Sequence, residues 1–294
     1  MACATQGTHV RIVSLVPSLT ELLFSLGLDD QVVGRTGFCV HPRERVRAVP
    51  KVGGTKTVDV ERVRALAPTH LVVNVDENDK PTVDALAAFV PNVIVTHPLT
   101  VDDNFALYRQ FGDAFGRVRQ AARLSEVLQK ALHAARARQW APARVAYLIW
   151  KDPWMTVSRD TYIASMLAQV GLTCLSPPSD RRYPQIDWAS FPPEPLDAVL
   201  FASEPWRFRE RDLREFAQAH GVPHHLCQLI DGEMTSWYGP RAIAGLRYLT
   251  GFRDRLDRVA LAAQSAQTLP AVQAAPAAQP AQAVHAAQRP GPAN

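Results

Sequence analysis

The chain has 294 residues, of which 47% are hydrophobic and 20% charged, a composition that supports one large or two modest soluble domains. The net charge of +4 comes from cations dispersed among 28 acidic residues, without a basic run that alternates with aromatic residues, which argues against nucleic-acid binding. No apolar run reaches the roughly 18 residues of a membrane span. The four cysteines lack CxxC spacing and indicate neither a zinc site nor a disulfide framework.

The first part of the chain alternates short β-branched runs with helical patterns, which is typical of a parallel α/β sheet. Ser18 followed by Glu21 has the pattern of a capping box, so we expect the first helix to begin at Ser18. The predicted strands are 11–16, 31–35, 70–75 and 93–96, and the longer helices that follow the first are 58–67 and 101–115.

The longest predicted helix covers residues 117–138, where neither Pro nor Gly interrupts apolar residues that recur at helical spacing. At about 1.5 Å per residue it would be about 33 Å long, enough to span a small domain. It either joins two lobes or is one more crossover helix of a single domain, and periodicity alone leaves both readings open. We predict two lobes, at 8–116 and 139–260.

The second predicted lobe repeats the alternation of strands and helices. Strands are predicted at 144–149, 196–202 and 224–230, and helices at 161–170, 209–220 and 238–259. Residues 261–294 are rich in Ala, Gln and Pro, and Arg289 is their one charged residue. This composition predicts a disordered tail.

Tryptophans follow the strands of the second lobe. Ligands of open parallel sheets bind beyond the carboxyl ends of the strands, which is where Trp150, Trp206 and Trp237 occur, with Trp154 close behind the first. The group favours an aromatic-lined cleft for a large, flat ligand. The alternative is that each tryptophan closes a strand end as core packing.

Polar side chains occupy the corresponding loops of the first lobe. His41 precedes Pro42 and fits a hydrogen-bonded loop residue as well as a ligand-binding one, and acidic residues such as Asp76 are favoured at helix starts whatever their function. The residues of these loops are Pro17, Ser18, Phe38, Cys39, His41, Asp76, Glu77, Asn78 and His97. Because GxSxG, HExxH, P-loop and GxGxxG motifs are all missing, the sequence offers no positive sign of an enzyme.

Four segments together resemble the class III substrate-binding proteins of ABC importers, and among them the vitamin B12-binding and helical backbone metal receptor group. They are RIVSLVPSLTELLFSLGLDDQVVGRTGFCVHP, the Gly-Gly turn with VDVERVRALAPTHLVV, the long middle helix, and DGEMTSWYGPRAIAGLRYL. The resemblance covers residues 10–258. It implies an α/β fold in which a single backbone helix joins two Rossmann-like lobes with parallel sheets, and a cleft between them that holds cobalamin, haem or an iron chelate.

The strand-end positions and the resemblance together indicate the site residues. One acidic residue on each lobe would dock onto arginines of an ABC permease dimer, and Glu77 and Glu204 match by position, so both are expected to be exposed and unpaired. The expected ligand-binding residues are Pro17, Ser18, Phe38, Cys39, His41, Trp150, Trp154, Trp206, Asp231, Glu233, Trp237, Tyr238 and Arg241. For Asp231, Glu233 and Arg241, helix capping is the alternative. No catalytic residue or intrinsic cofactor is expected, and a metal ligand is not assigned.

The N-terminal sequence MACATQGTHV departs from this family, because it has neither a cationic n-region nor an apolar h-region and Cys3 is not in a lipobox. As it stands the sequence predicts a cytoplasmic monomer, and a periplasmic one if the true start lies upstream. The alternative function is a cytoplasmic corrinoid- or metallocofactor-handling protein, or an enzyme on the same scaffold that uses a reactive Cys39 or His41.

Overall fold

The first lobe of the computed structural model, which describes residues 9–191 and 194–268, is built on a parallel sheet with the strand order β2-β1-β3-β4. Its elements are β1 Ile12–Ser14, α1 Pro17–Ser25, β2 Val32–Arg35, α2 Arg43–Val46, α3 Val60–Ala65, β3 His70–Asn74, α4 Lys80–Ala87, β4 Asn92–Thr96 and α5 Asp103–Ala114. Successive side chains of a strand point to opposite faces of the sheet. Val13 therefore belongs to a core cluster confined to the first lobe, whereas Ile12 belongs to a cluster that also contains residues of the second lobe.

The helix α6, Val118–Arg136, joins the lobes and lies within the predicted range 117–138. Its buried side chains recur at helical spacing and face α5 and α10, whereas Arg123 and Lys130 face solvent. The buried residues of α6 belong to one continuous hydrophobic cluster with residues of both lobes, such as Leu22 and Tyr147, which we call the shared core. The two lobes are therefore packed against each other as well as tethered.

The second lobe contains a mixed sheet in which β5 pairs in parallel with β7 and β8, β8 pairs with β9, and the short β6 runs antiparallel to β5. Its elements are β5 Ala143–Trp150, β6 Met155–Thr156, α7 Tyr162–Ala168, β7 Leu172–Cys174, β8 Ala198–Ala202, α8 Glu210–His220, β9 Cys227–Ile230, α9 Gly232–Ser236 and α10 Arg241–Thr268. The two lobes with parallel sheets and the joining helix confirm the predicted fold class.

Two local predictions are wrong. The first helix begins at Pro17 with Val16 as its N-cap, because proline favours the first helical position, and the predicted capping box of Ser18 does not form. The helix α10 continues to Thr268, so 261–268 are helical rather than part of a disordered tail, because Ala and Gln favour a helix. Residues 269–294 lie outside the described residues. Over 9–191 and 194–268, no helix combines the length and apolar character of a membrane span.

Candidate functional site

The residues that follow the strands of the two sheets meet across the interlobe cleft. His41, Asp76 and Glu77 follow β2 and β3 of the first lobe, and Glu204 and Glu233 follow β8 and β9 of the second. The carboxyl ends of parallel strands are the usual place for a binding site, and here the ends of two sheets face each other. The cleft is thus formed by loops that both sheets hold in position.

The segment between α9 and α10 connects the second lobe to the first. The Gly239 N–H donates to Asn104 Oδ1 and its carbonyl accepts from Tyr108 Oη at 2.8 Å, so α5 holds this segment from both sides. Gly239 has a φ of 78° and lies against Ser18 O, which suits a residue without a side chain. Asn104 Nδ2 also donates to Tyr162 Oη of α7 at 2.9 Å. These contacts between the lobes are buried and uncharged.

Tyr238 extends from this segment to Glu77 of the first lobe. Its buried hydroxyl donates to Glu77 Oε1 at 2.7 Å. Burial, together with the neighbouring Glu204 and Asp76, raises the pKa of Glu77 to about 7, while the hydrogen bond from Tyr238 acts in the opposite direction. Burial together with Glu77 raises the pKa of Tyr238 well above its ordinary value, so its hydroxyl remains a donor.

Glu204 lies in the second lobe near Glu77. One oxygen, Oε1, accepts from Ser236 Oγ at 2.9 Å and from Trp237 Nε1 at 2.7 Å. Burial raises the pKa of Glu204 also. The prediction that Glu77 and Glu204 are exposed and unpaired is wrong, because both are half-buried where residues 236–238 cover the strand ends. The docking role itself stays a prediction.

His41 belongs to a chain of charged contacts. Its Nε2 lies 2.9 Å from Glu233 Oε2, and the Arg241 guanidinium approaches the same oxygen at 3.3 Å. Arg241 is held in turn by two hydrogen bonds of 2.8 Å to the carboxylate of Glu21 in α1. The Trp237 ring contacts the His41 ring edge to face, with 5.5 Å between their centroids. The contacts of His41 and Arg241 therefore cross from one lobe to the other.

A second charged contact involves Asp76, which pairs with Arg182 and lies 3.5 Å from His97 Nε2. Arg182 lies in the long connection between β7 and β8, which has no strand-end or helix signal in the sequence, so it was not predicted. Asn104 and Tyr108, which lie within α5, were not predicted either.

The predicted aromatic residues divide into three groups. Trp150 and Trp206 contact each other, with 5.2 Å between ring centroids, and Trp150 is 37% exposed. Trp237 contacts His41 instead. Trp154 stacks on Phe208 and packs against the core of the second lobe, which corrects its assignment to the cleft: the packing alternative holds for this residue. Trp206 packs against the same core, with 6.4 Å between its ring centroid and that of Phe208, but it also contacts the exposed Trp150.

Cys39 is another correction. Its side chain is fully buried, where Thr20 Oγ1 donates to its Sγ at 3.0 Å, and burial raises the pKa of the thiol. A buried thiol of this kind is neither a surface for a ligand nor a reactive nucleophile. The loop after β2 turns Cys39 inward and leaves the adjacent Phe38 62% exposed.

Three predicted residues have local structural roles. Pro17 is the buried first residue of α1, and Asp231 caps α9 by accepting from the N–H of Met234 at 3.2 Å. Ser18 is 2% exposed and lies beside the Tyr238 hydroxyl. Ser18 adjoins the Tyr238 hydroxyl of the cleft, and Asp231 lies close enough to Glu204 to raise its pKa.

Two further observations concern metal ligation and a recess in the first lobe. Within the described part of the chain, three His, Cys, Asp or Glu side chains do not come together as a metal site. A recess of 440 Å³ lies between β4 and α5, where His97, Asp103 and Asp113 line it. The charged and aromatic residues described above, apart from His97, do not line this recess.

Comparisons with known proteins agree with this architecture. The model of the family described as periplasmic binding protein matches residues 12–222. An uncharacterized ABC transporter substrate-binding lipoprotein, YvrC of Bacillus subtilis, is 26% identical over 255 residues, which cover 81% of this chain and 78% of that relative. A vitamin B12-binding protein of Pectobacterium atrosepticum is 25% identical over 183 residues, 60% of this chain and 65% of that relative.

Solved structures have the same fold. The periplasmic vitamin B12 binding protein BtuF of Vibrio cholerae superimposes with a TM-score of 0.69 at 16% identity, over 84% of this chain and 98% of that chain. The periplasmic heme-binding protein RhuT from Roseiflexus sp. RS-1 gives a TM-score of 0.72 at 22% identity, over 85% and 99% of the two chains.

Proposed function

The chain belongs to the periplasmic binding protein family, and on that premise we propose that it binds cobalamin or a related metal chelate, such as haem or an iron–siderophore complex, between its lobes. It then delivers this ligand to the permease of an ABC importer. The names of its relatives, a substrate-binding lipoprotein and a vitamin B12-binding protein, support this function. The same names support an extracytoplasmic site of action, and we propose that the protein works there as a monomer.

The observation that carries the proposal is the convergence of strand-end residues from both lobes. Glu77 and His41 of the first lobe contact Tyr238 and Glu233 of the second directly. A ligand that enters the cleft replaces these hydrogen bonds with its own, so its binding is coupled to an exchange of side-chain contacts between the lobes.

We assign the residues of the cleft to two tasks. Tyr238, Glu77 and Glu204 supply hydrogen-bonding groups at its centre, and Trp150 with Trp206 supplies apolar surface for a flat ring. His41, Glu233, Trp237 and Arg241 form the side of the cleft that α1 supports. Binding rather than catalysis is proposed, because the buried Cys39 offers no nucleophile.

The test is a titration of the purified protein with cyanocobalamin, dicyanocobinamide, haem and ferric chelates, followed by calorimetry and visible absorption. We expect one ligand class to bind with a stoichiometry of one and to quench tryptophan fluorescence. Trp206→Phe should reduce the quenching, and the matched control Trp154→Phe, in the core of the second lobe, should keep it. Binding of none of these ligands would reject the proposed function.

A further inference from the structure

Two carboxylates that form no ion pair with a Lys, Arg or His of the described residues lie at the centre of the cleft. Glu77 comes from the first lobe and Glu204 from the second, and both are half-buried. Their hydrogen-bond donors are the neutral groups of Tyr238, Ser236 and Trp237. The centre of the cleft is therefore acidic and rich in hydrogen-bond acceptors.

Other carboxylates surround this pair. Asp76 lies close enough to Glu77 to raise its pKa, and Glu233 and Asp231 have the same effect on Glu204. The sign of the local charge is thus negative on both sides of the cleft.

Two arginines near this pair are engaged by other carboxylates. Arg182 pairs with Asp76, and Arg241 is shared between Glu21 and Glu233. An anionic group of a ligand would have to displace an acidic partner to gain either of these two cations.

A buried hydroxyl adds an independent sign of ligand binding. Ser18 Oγ is inaccessible to solvent, and within the described part of the chain it forms no hydrogen bond of good geometry. It lies beside the hydroxyl of Tyr238, which in turn donates to Glu77. Burial of a polar group without a good partner is unfavourable in free energy, so a hydrogen bond from a ligand would stabilise Ser18 Oγ.

We propose that the cleft selects metal chelates whose periphery carries hydrogen-bond donors, such as carboxamides, or cationic groups, and rejects chelates with a carboxylate periphery. This inference rests on the proposed function. An amide N–H that donates to Glu77 or Glu204 forms a charge-assisted hydrogen bond, whereas a carboxylate at the same position repels both side chains in surroundings that screen charge poorly.

The experiment compares two corrinoids that share one ring. Dicyanocobinamide has an amide periphery, and dicyanocobyrinic acid carries carboxylates at the same positions. At pH 8 we expect the wild-type protein to bind the amide at least about tenfold more tightly, which corresponds to about 1.4 kcal/mol. The measurements are calorimetry and the visible absorption of the ring.

Substitutions test whether the two carboxylates are responsible for the preference. In Glu77→Gln and in Glu204→Gln we expect the affinity ratio to fall severalfold, because the acid binds more tightly. The control Glu194→Gln removes an exposed carboxylate that pairs with Arg144 outside the cleft, and it should leave the ratio unchanged. If one variant does not fold, the other still provides the comparison.

The outcomes separate this inference from the proposed function. Equal affinities for the two corrinoids, or a ratio that both variants preserve, would overturn the inference while a binding function stands. Binding of haem, with its two carboxylates, in place of either corrinoid would do the same. Failure of every chelate to bind would reject the function, and the inference with it.

Discussion

Two sets of polar contacts between the lobes differ in chemistry. The first, which we call the neutral seam, consists of Asn104, Tyr108, Tyr162 and Gly239, whose hydrogen bonds are buried and uncharged. The second, the charged rim, consists of His41 with Glu233 and Asp76 with Arg182, whose side chains are partly exposed. Water or a ligand can replace the partners of the charged rim, because its side chains are partly exposed. The polar groups of the neutral seam are buried, so breaking one of their hydrogen bonds leaves a donor or an acceptor unsatisfied.

The difference indicates how the cleft works. Separation of the rim costs little, since water replaces the lost ion pairs, and it frees the groups that face the ligand. Separation of the seam would expose the shared core. We therefore expect motion at the rim and rigidity at the seam, and four experiments test this division.

Asn104→Ala should have the largest effect. Asn104 bonds to Val101 O, Tyr162 Oη and the Gly239 N–H, so its loss leaves several buried groups unsatisfied. We expect the free energy of unfolding to fall by about 3 kcal/mol. Urea denaturation measures this change, and Gln110→Ala, on an exposed position of the same helix, should cost under about 0.5 kcal/mol. Equal effects of the two variants would contradict the special role of the seam.

Glu77→Gln should change the pH dependence of stability. Because burial raises the pKa of Glu77 from 4.5 to about 7, the folded protein holds this proton more tightly than the unfolded chain does. The associated stability is present below pH 4.5 and is lost as the pH rises through 7. After allowance for partial exposure we expect Glu77→Gln to abolish a loss of about 2 kcal/mol between pH 5 and pH 8.

The measurement is the free energy of unfolding in urea at each pH. Glu44→Gln, which replaces an exposed carboxylate, is the matched control and should follow the wild-type profile. A Glu77→Gln variant with the wild-type pH profile would show that Glu77 does not carry this dependence.

Arg182→Ala should have a smaller effect on stability, under about 1 kcal/mol, since it removes a partly exposed ion pair. Its effect should appear locally. The N–H groups of Asp76 and Glu77 donate to Asn74 Oδ1, and their hydrogen exchange should become faster when Asp76 loses Arg182. The control Arg144→Ala breaks an ion pair within the second lobe and should leave these amides unchanged. Unchanged exchange in Arg182→Ala would argue against a mobile rim.

The smallest expected effect is on the shape of the molecule. The unbroken helix α6 and the neutral seam both resist a change in the angle between the lobes. Small-angle scattering profiles with and without ligand should therefore nearly superimpose. A large rotation about the middle of α6 on ligand binding would refute this expectation.

The sequence predicted the features of this fold that depend on local periodicity. The alternation of strands and helices and the uninterrupted helix at 117–138 are visible without tertiary contacts, and β1 and α6 form within their predicted ranges. The two-residue strand β6 and the three-residue strand β7 are too short for a periodic signal, and their pairing with β5 decides their existence.

The candidate site was predictable in position but not in burial. Glu77 and Glu204 were placed at strand ends correctly, yet their half-burial depends on residues 236–238, which come from elsewhere in the sequence. Cys39 and Trp154 also follow strands, but their side chains turn inward, to Thr20 and Phe208 respectively. A sequence pattern specifies where a loop begins, and only the packed neighbours determine which way each side chain faces.

The contact of α10 with the first lobe bears on how the protein is made. Ala242, Ile243 and Leu246, at the start of α10, pack in the same cluster as Leu22 of α1, and Arg241 binds Glu21. When the ribosome has synthesised only the first lobe, the shared core still lacks these residues. The first lobe therefore completes its core only after the last lobe has been translated, and during that interval its uncovered surface is a site for chaperone binding or aggregation.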